Sequence, residues 1–397
     1  MTAEPLQGVV VVEFGNLVAG PYCGMLLADL GASVIKVETV DGDLARGIGP
    51  YVNGESAFFM SVNRGKRSFA VDAKQPELAR ALLDLVVSAD IVVTNLRQGA
   101  MERMGLGYER LAALAPRLVF VVISAFGTSG PMAERPGIDL IFQGESGMMA
   151  INGAEGDPPL KTATTIGDFV AGTNAALAAV AALVRRDREG VGALVEVSLR
   201  DGLIAVQAGW NSLYLSSGVV PARTGTSSPV TAPNQTFATS DGHVNIAVVS
   251  DRHFQDLCRA LGLDQLGLDS RFVSNEGRVK HRADLAAAIS AALAQQSTSH
   301  WVEVIGASGV PVGRVLDLAA VFADEQVIHN EMLVEVEHPR AGTVRLQGSP
   351  FRIDRSAARA KGVPPSLGEH TREILMGQGW SGERVDDLAR AGSLVAG

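Results

Sequence analysis

The sequence predicts an α/β protein in which a large doubly wound, Rossmann-like domain is joined to a smaller α+β domain. Three observations predict it. Over the first two hundred or so residues, short apolar strands alternate with helical segments, the pattern of a parallel sheet covered on both faces. Beyond residue 235 the pattern changes to hairpins and a run of helices. The stretch between them, "VVPARTGTSSPVTAPNQ" at 219–235, is rich in Pro, Ser, Thr and Gly and reads as a boundary.

The elements follow in order. "VVVVEF" at 9–14 is a buried strand, and "GPYCGMLLADLG" at 20–31 is a helix stopped by Gly31. "SVIKVE" at 33–38, "SFAVDAK" at 68–74, "DIVVTNL" at 90–96 and "LVFVVISAF" at 118–126 are further strands. Helices are expected at 76–89 and 101–114 between them. An Ala- and Val-rich run at 169–186 reads as a buried helix, followed by one more strand and helix. In the smaller domain, Asp241-Gly242 marks a hairpin, helices fall at about 251–262, 281–296 and 298–307, and a second hairpin turns at 339–342. "RSAARAKGVPPSLGEHT" is a second linker before a helical tail. The domains are therefore 1–215 plus 355–397 for the large one and 236–354 for the small one, with 216–235 as linker.

Composition excludes several classes. Of 397 residues, 47% are apolar and 19% charged, as in a soluble globular protein with a large core. A net charge of −9 argues against nucleic-acid partners, whose footprint is a basic face. Cys23 and Cys258 form no CxxC pair, which excludes a cysteine zinc site and suits a reducing cytoplasm. All seven histidines lie at or beyond His243, in no helical zinc spacing. "MTAEPLQG" lacks the features of a signal peptide, and the longest apolar run, 174–184, is too short for a bilayer.

One acid stands out. Asp168, in "TTIGDFVAGT", lies between a Gly/Pro-rich loop and the Ala/Val-rich helix. Its ordinary role there is an N-cap, because Asp oxygens accept the free N–H groups of a first turn. The helix end would also keep it ionised at neutral pH. A second feature is a decoy. The strand–turn–helix–strand unit ending in Glu38 looks like a dinucleotide site, but the turn Gly15–Gly20 lacks GxGxxG and Pro21 sits at the helix start.

Several segments carry a resemblance in collinear order from about residue 6 to 376. They are "NLVAGPYCGMLLADLGASVIKVE", "NRGKRSFAVDAK", "NLRQGAMERMGLGYERLAALAPRLVFVVISAFGTSGP", "RPGIDLIFQGESG", "IGDFVAG", "RTG", "TSDGHVNIAV" and "PSLGEHT". Together they resemble the class III CoA-transferases, which include carnitine and formyl-CoA:oxalate transferases and share their fold with 2-methylacyl-CoA racemases.

The resemblance implies transfer of CoA from an acyl-CoA to a free carboxylic acid through an aspartyl-CoA thioester on Asp168. It implies coenzyme A contacts at Val18, Ala19, Val71, Asp72, Ala73, Lys74, Asn95, Leu96, Arg97, Ala100 and Arg103, with Asp139 beside the site. Coenzyme A is then a substrate, and no permanently bound cofactor or metal is expected. It also implies an interlocked homodimer. Formyl-CoA transferase has Gln where Val18 stands, Arg where Thr39 stands and Tyr-Glu where Ile138-Asp139 stand, and its tetraglycine loop has no counterpart here. The racemases use a His where this chain has Ile138. A racemase, or a CoA-binding homologue without turnover, is the alternative reading.

Overall fold

A computed structural model describes residues 4–358 and 362–397 of the chain. Its strands are β1 (Val10–Phe14), β2 (Ser33–Glu38), β3 (Lys66–Val71), β4 (Ile91–Thr94), β5 (Val119–Ser124), β6 (Ala193–Ser198), β7 (Asn234–Ala238), β8 (His243–Ala247), β9 (Val312–Arg314), β10 (Leu333–His338), β11 (Gly342–Gln347) and β12 (Leu394–Val395), apart from two-residue hairpin strands. The helices that matter for the site are α1 (Ala19–Asp29), α2 (Pro76–Val87), α3 (Ala100–Arg103), α4 (Tyr108–Leu114), α5 (Asp139–Glu145), α6 (Ile166–Glu189) and α7 (Leu199–Val206).

Seven strands form one sheet in the order β12-β3-β2-β1-β4-β5-β6. All are parallel except β12, which pairs antiparallel to β3. The chain winds outward from β1 through β2 and β3, returns beside β1 as β4, and winds the other way through β5 and β6. The switch point lies between β1 and β4. The connections leaving their carboxyl ends diverge there, which opens a crevice in this class of sheet.

The strands are near-continuous Val/Ile runs because both faces are covered. On one face α1 and α6 pack Ala19, Cys23, Leu27, Ala171, Ala175 and Ala179 on Val11, Val93 and Val121. On the other face α2, α4 and the C-terminal helices 371–377 and 382–390 pack Leu78, Leu82, Leu111, Leu375 and Leu388 on Val12, Phe14 and Phe120. Both cysteines are buried and free.

The single helix expected at 101–114 is two helices, α3 and α4. Gly105, at φ +70°, breaks it, because that left-handed conformation cannot continue a helix. Helix α6 reaches well past the apolar run at 174–184 and is long and apolar enough to cross a membrane by length and composition. Its buried alanines instead place it in the core of the sheet domain. The tail, expected to be helical, ends in strand β12.

The chain divides into two compact units. The larger holds the chain up to Met148, Thr162–Ser212 and the described chain from Asp324. The smaller holds Met149–Lys161 and Leu213–Ala323. The limits differ from the expected 215, 236 and 354 in one consequential way: the hairpin β10–β11 belongs with the large unit. Val344, Leu346 and Ala341 join Ala45, Phe59 and Met60 in a small core of their own, and Asn53 donates to the Ala341 carbonyl at 2.9 Å. Of the second linker, residues 359–361 lie outside the described residues. In the smaller unit, the antiparallel sheet β9-β8-β7 is covered by helices 251–260, 282–293 and 298–307 around Phe237, Ile246, Phe254, Leu257 and Trp301.

Candidate active site

The residues expected to hold coenzyme A fall at the carboxyl ends of three parallel strands. Val18 and Ala19 follow β1. Val71 closes β3 and Asp72, Ala73 and Lys74 follow it. Asn95, Leu96 and Arg97 follow β4, with Ala100 and Arg103 on α3. Their side chains are not equally available. Val18, Ala19 and Val71 are buried, so what they can offer is backbone. Asp72 accepts the Lys74 N–H at 3.0 Å within its own turn. Lys74, Arg97 and Arg103 are exposed, and none makes a side-chain hydrogen bond or ion pair among the described residues. Three free cations at this edge of the sheet suit phosphate groups.

The Asn95 side chain is already occupied. Its Oδ1 accepts the Asn16 N–H at 2.9 Å and its Nδ2 donates to the Asn16 carbonyl at 2.9 Å. Asn95 thus pins the loop between β1 and α1 to the end of β4, across the switch point.

Buried charges that the sequence pattern does not single out hold the same loop from below. Glu13, the next-to-last residue of β1, is wholly buried between Lys36 at 3.0 Å and Lys66 at 2.7 Å. Lys36 also pairs with Asp43 at 2.8 Å and donates to the Gly15 carbonyl at 2.6 Å. Lys66 donates to the Pro21 carbonyl at 2.6 Å. Asp43 accepts the Leu17 N–H at 3.0 Å, which helps hold Leu17 at φ +63°. That conformation costs a non-glycine residue roughly 1–2 kcal/mol. Burial raises the Asp43 carboxyl, but Lys36 and the Leu17 N–H outweigh it and keep the group below its usual range. A signal for this cluster does exist in the sequence: a Glu and a Lys inside otherwise apolar buried strands have to be paired. Glu38, the acid of the dinucleotide decoy, is engaged by Arg46 at 2.7 Å and Ser68 at 2.6 Å, so it offers no free carboxylate for a ribose.

Asp168 sits in the first turn of α6 and is partly exposed. Its carboxyl accepts no hydrogen bond among the described residues, so it is not the cap that the sequence suggests. Asp139, at the start of α5, takes that role: its Oδ1 accepts the Gly167 N–H at 2.7 Å. Thr165, in the N-cap position, makes no side-chain cap. Gly172, one turn after Asp168 on the same face, brings α6 against α1; a Cβ there would lie 2.7 Å from the Ala19 carbonyl oxygen. Tyr22 of α1 meets Phe169 edge to face, with ring centroids 4.8 Å apart. The turn bearing Asp168 therefore packs beside the turn bearing Val18 and Ala19.

The expectation that the helix end keeps Asp168 ionised is not met. Burial pushes its carboxyl up to about 7, and the Asp139 charge adds to the rise. The physical reason is that the helix begins at Ile166, with Thr165 in the N-cap position, so Asp168 lies inside the first turn, where its carboxyl takes up no free helix N–H. A carboxylate with a raised pKa and free lone pairs is a better nucleophile than a capping one.

The comparisons with known proteins give the family. The sequence matches the family model for CoA-transferase family III over residues 6–371. Succinyl-CoA:glutarate CoA-transferase of Mus musculus is 36% identical over 374 residues, covering 94% of this chain and 86% of that protein. Acetyl-CoA:oxalate CoA-transferase of Acetobacter aceti is 36% identical over 351 residues, covering 88% and 89%. The crystal structure of a CaiB/BaiF family protein from Brucella suis superposes with a TM-score of 0.86 at 35% identity, covering 95% of this chain and 100% of that one. The doubly wound sheet is, in this light, the scaffold of an enzyme that handles acyl thioesters. The chain belongs to CoA-transferase family III. It moves CoA between an acyl-CoA and a carboxylic acid, and the racemase and non-catalytic readings give way to this one.

Proposed function

We propose that the transfer runs through Asp168 as nucleophile and that the acids are small dicarboxylic acids. The supporting observation is the Asp168 carboxyl in the first turn of α6, which accepts no hydrogen bond among the described residues while Asp139 caps the helix from α5. The Asp168 oxygen attacks the thioester carbonyl of the donor. CoA leaves as thiolate, and a mixed anhydride of donor acid and Asp168 remains. The thiolate attacks the Asp168 carbonyl, the donor acid departs, and an aspartyl-CoA thioester is left. The acceptor carboxylate attacks that thioester and displaces the thiolate. The thiolate then attacks the acceptor's carbonyl in the new anhydride, which yields the new acyl-CoA and restores Asp168. Each step exchanges one acyl bond for another, so the single acid suffices as covalent group.

Coenzyme A lies along the carboxyl ends of β1, β3 and β4 in this reading. The backbone at Val18 and Ala19, at Val71 to Lys74 and at Asn95 to Arg97 lines it, beside Ala100. Arg97, Arg103 and Lys74 meet its phosphates. Asp139 holds the turn rather than the coenzyme. The donor is succinyl-CoA or another common acyl-CoA, by similarity to relatives that use succinyl-CoA with glutarate or acetyl-CoA with oxalate. The enzyme works in the cytoplasm as an interlocked homodimer. What favours the dimer is exposed apolar surface on α6 and α7: Leu177 is 69% exposed, Val206 55% and Val184 48%.

The test is intact-protein mass spectrometry after mixing the protein with a panel of acyl-CoAs and no acceptor, with Asp168→Ala and Asp168→Asn alongside. A hydroxylamine-sensitive CoA adduct on the wild type alone supports the mechanism, and the acyl-CoA that produces it identifies the donor. No adduct with any donor overturns it.

A further inference from the structure

Gln143 on α5 is completely buried and polar, and no part of the chemistry above requires it. Its Nε2 donates to Asp139 Oδ2 at 2.5 Å and to the Thr164 carbonyl at 3.4 Å. Its Oε1 accepts the Thr162 N–H at 2.8 Å and the Thr162 hydroxyl at 3.2 Å. A carboxamide has two donors and two acceptor sites, so every one is in use. The partners lie on both sides of Thr165. Thr162 and Thr164 precede it, and through Asp139 the clamp reaches Gly167. The first turn of α6 has no side-chain cap of its own at Thr165, so its direction is set from outside, by α5.

We propose that Gln143 is a positioning residue for CoA transfer: it fixes Asp139 and the approach to α6 so that the Asp168 carboxyl stands free and correctly aimed. The inference rests on Asp168 being the nucleophile. Asp139, one turn before Gln143 on α5, is what Gln143 orients, and it carries the charge that faces Asp168. Other ionisable groups on the elements packed against the start of α6 include Tyr22 and Cys23 on α1, Glu145 at the end of α5, and the Arg200–Asp201 pair, 3.7 Å apart, on α7. A residue that only filled a polar hole would alter stability when replaced, but not the proton affinity or the aim of Asp168.

The test measures the rate of aspartyl-CoA formation without acceptor, across pH, for wild type, Gln143→Met and Gln143→Glu, with CoA affinity measured beside it. Gln143→Met keeps the volume and removes all four hydrogen bonds. Adduct formation should slow about 100-fold, as a misplacement of about 1 Å does, while CoA affinity holds. Gln143→Glu places a third carboxyl against Asp139 and should raise the pH midpoint of adduct formation by about one unit. Should Gln143→Met fail to fold, the midpoint of Gln143→Glu decides. An adduct formed by both variants at the wild-type rate and midpoint overturns this inference alone. An adduct missing from the wild type itself overturns the nucleophile assignment, and this inference with it.

Discussion

Asp139 Oδ1 lies 2.7 Å from the Gly167 nitrogen, so the acid that caps α6 comes from α5 while the acid inside the helix, Asp168, is left free. One carboxylate does the structural work and the other is available for chemistry. Removing the Asp168 charge should therefore cost activity and not stability. We expect Asp168→Asn to reduce turnover at least about 10⁴-fold. At neutral pH the melting temperature should hold or rise, because the variant no longer carries the buried, unpaired carboxylate. A large drop in melting temperature would mean that Asp168 holds the fold after all.

The same pair fixes a pH dependence of stability. Folded Asp168 titrates near 7, against an ordinary value of 3.8. Between those values the native state holds a proton that the unfolded chain has lost, so this group's contribution falls as pH rises from about 4 to 7 and is flat above. Denaturant titrations of wild type and Asp168→Asn should diverge over that window, with the variant gaining relative to the wild type as pH rises. Parallel curves would refute the raised proton affinity.

Activity should follow the opposite course, because in the proposed mechanism the attacking form is the carboxylate. kcat/KM should rise with pH to a half-point near 7 and then level off. Asp139→Asn keeps an oxygen for the Gly167 N–H but removes the charge, so the half-point should move down. The move should be smaller than the whole elevation, since burial is the leading cause and Asp139 the second. An unmoved half-point in Asp139→Asn would show that the two carboxyls do not sense each other.

Much of this is legible in the sequence, and the exceptions have physical causes. Alternating apolar strands and helices point to the doubly wound sheet because a parallel sheet buries both faces of each strand. Asp168 stands out because a lone acid entering an Ala/Val-rich helix needs a reason. Which acid caps that helix is not legible: Asp139 is 28 residues from Gly167, and only tertiary packing joins them. Glu13, Lys36 and Lys66 escape notice because strand periodicity asks whether a position is apolar, not what a charged exception pairs with. The hairpin β10–β11 groups with its neighbours in sequence, whereas its apolar face is buried against Phe59 and Met60.

Arg97 and Arg103 should separate binding from chemistry. Both are exposed and make no ion pair among the described residues, so Arg97→Ala and Arg103→Ala should leave the melting temperature unchanged. Loss of a charge-assisted contact to a phosphate should raise KM for the acyl-CoA about tenfold or more, with kcat nearly constant. Higher salt should weaken the wild type more than either variant. A fall in kcat with KM intact would place these residues elsewhere in the cycle.

Beneath the β1–α1 loop, the buried ion pairs invite a double-mutant cycle. Glu13 lies between Lys36 and Lys66, all wholly buried, and each lysine also holds a carbonyl at the entry to α1. Lys66→Met strips one partner from a buried carboxylate, which typically costs about 3–5 kcal/mol. Glu13→Gln leaves the Lys66 ammonium without a counter-charge, while Lys36 keeps Asp43, and should cost as much. Combined, they leave Lys36 paired with Asp43 and no uncompensated charge at residue 13, so the double variant should be clearly more stable than the sum of the single losses predicts. Its transferase activity should nevertheless stay low, because the Pro21 carbonyl has lost the donor that held it. Additive stabilities would show that the pairs act independently. Full activity in a folded double variant would show that the loop keeps its course without them.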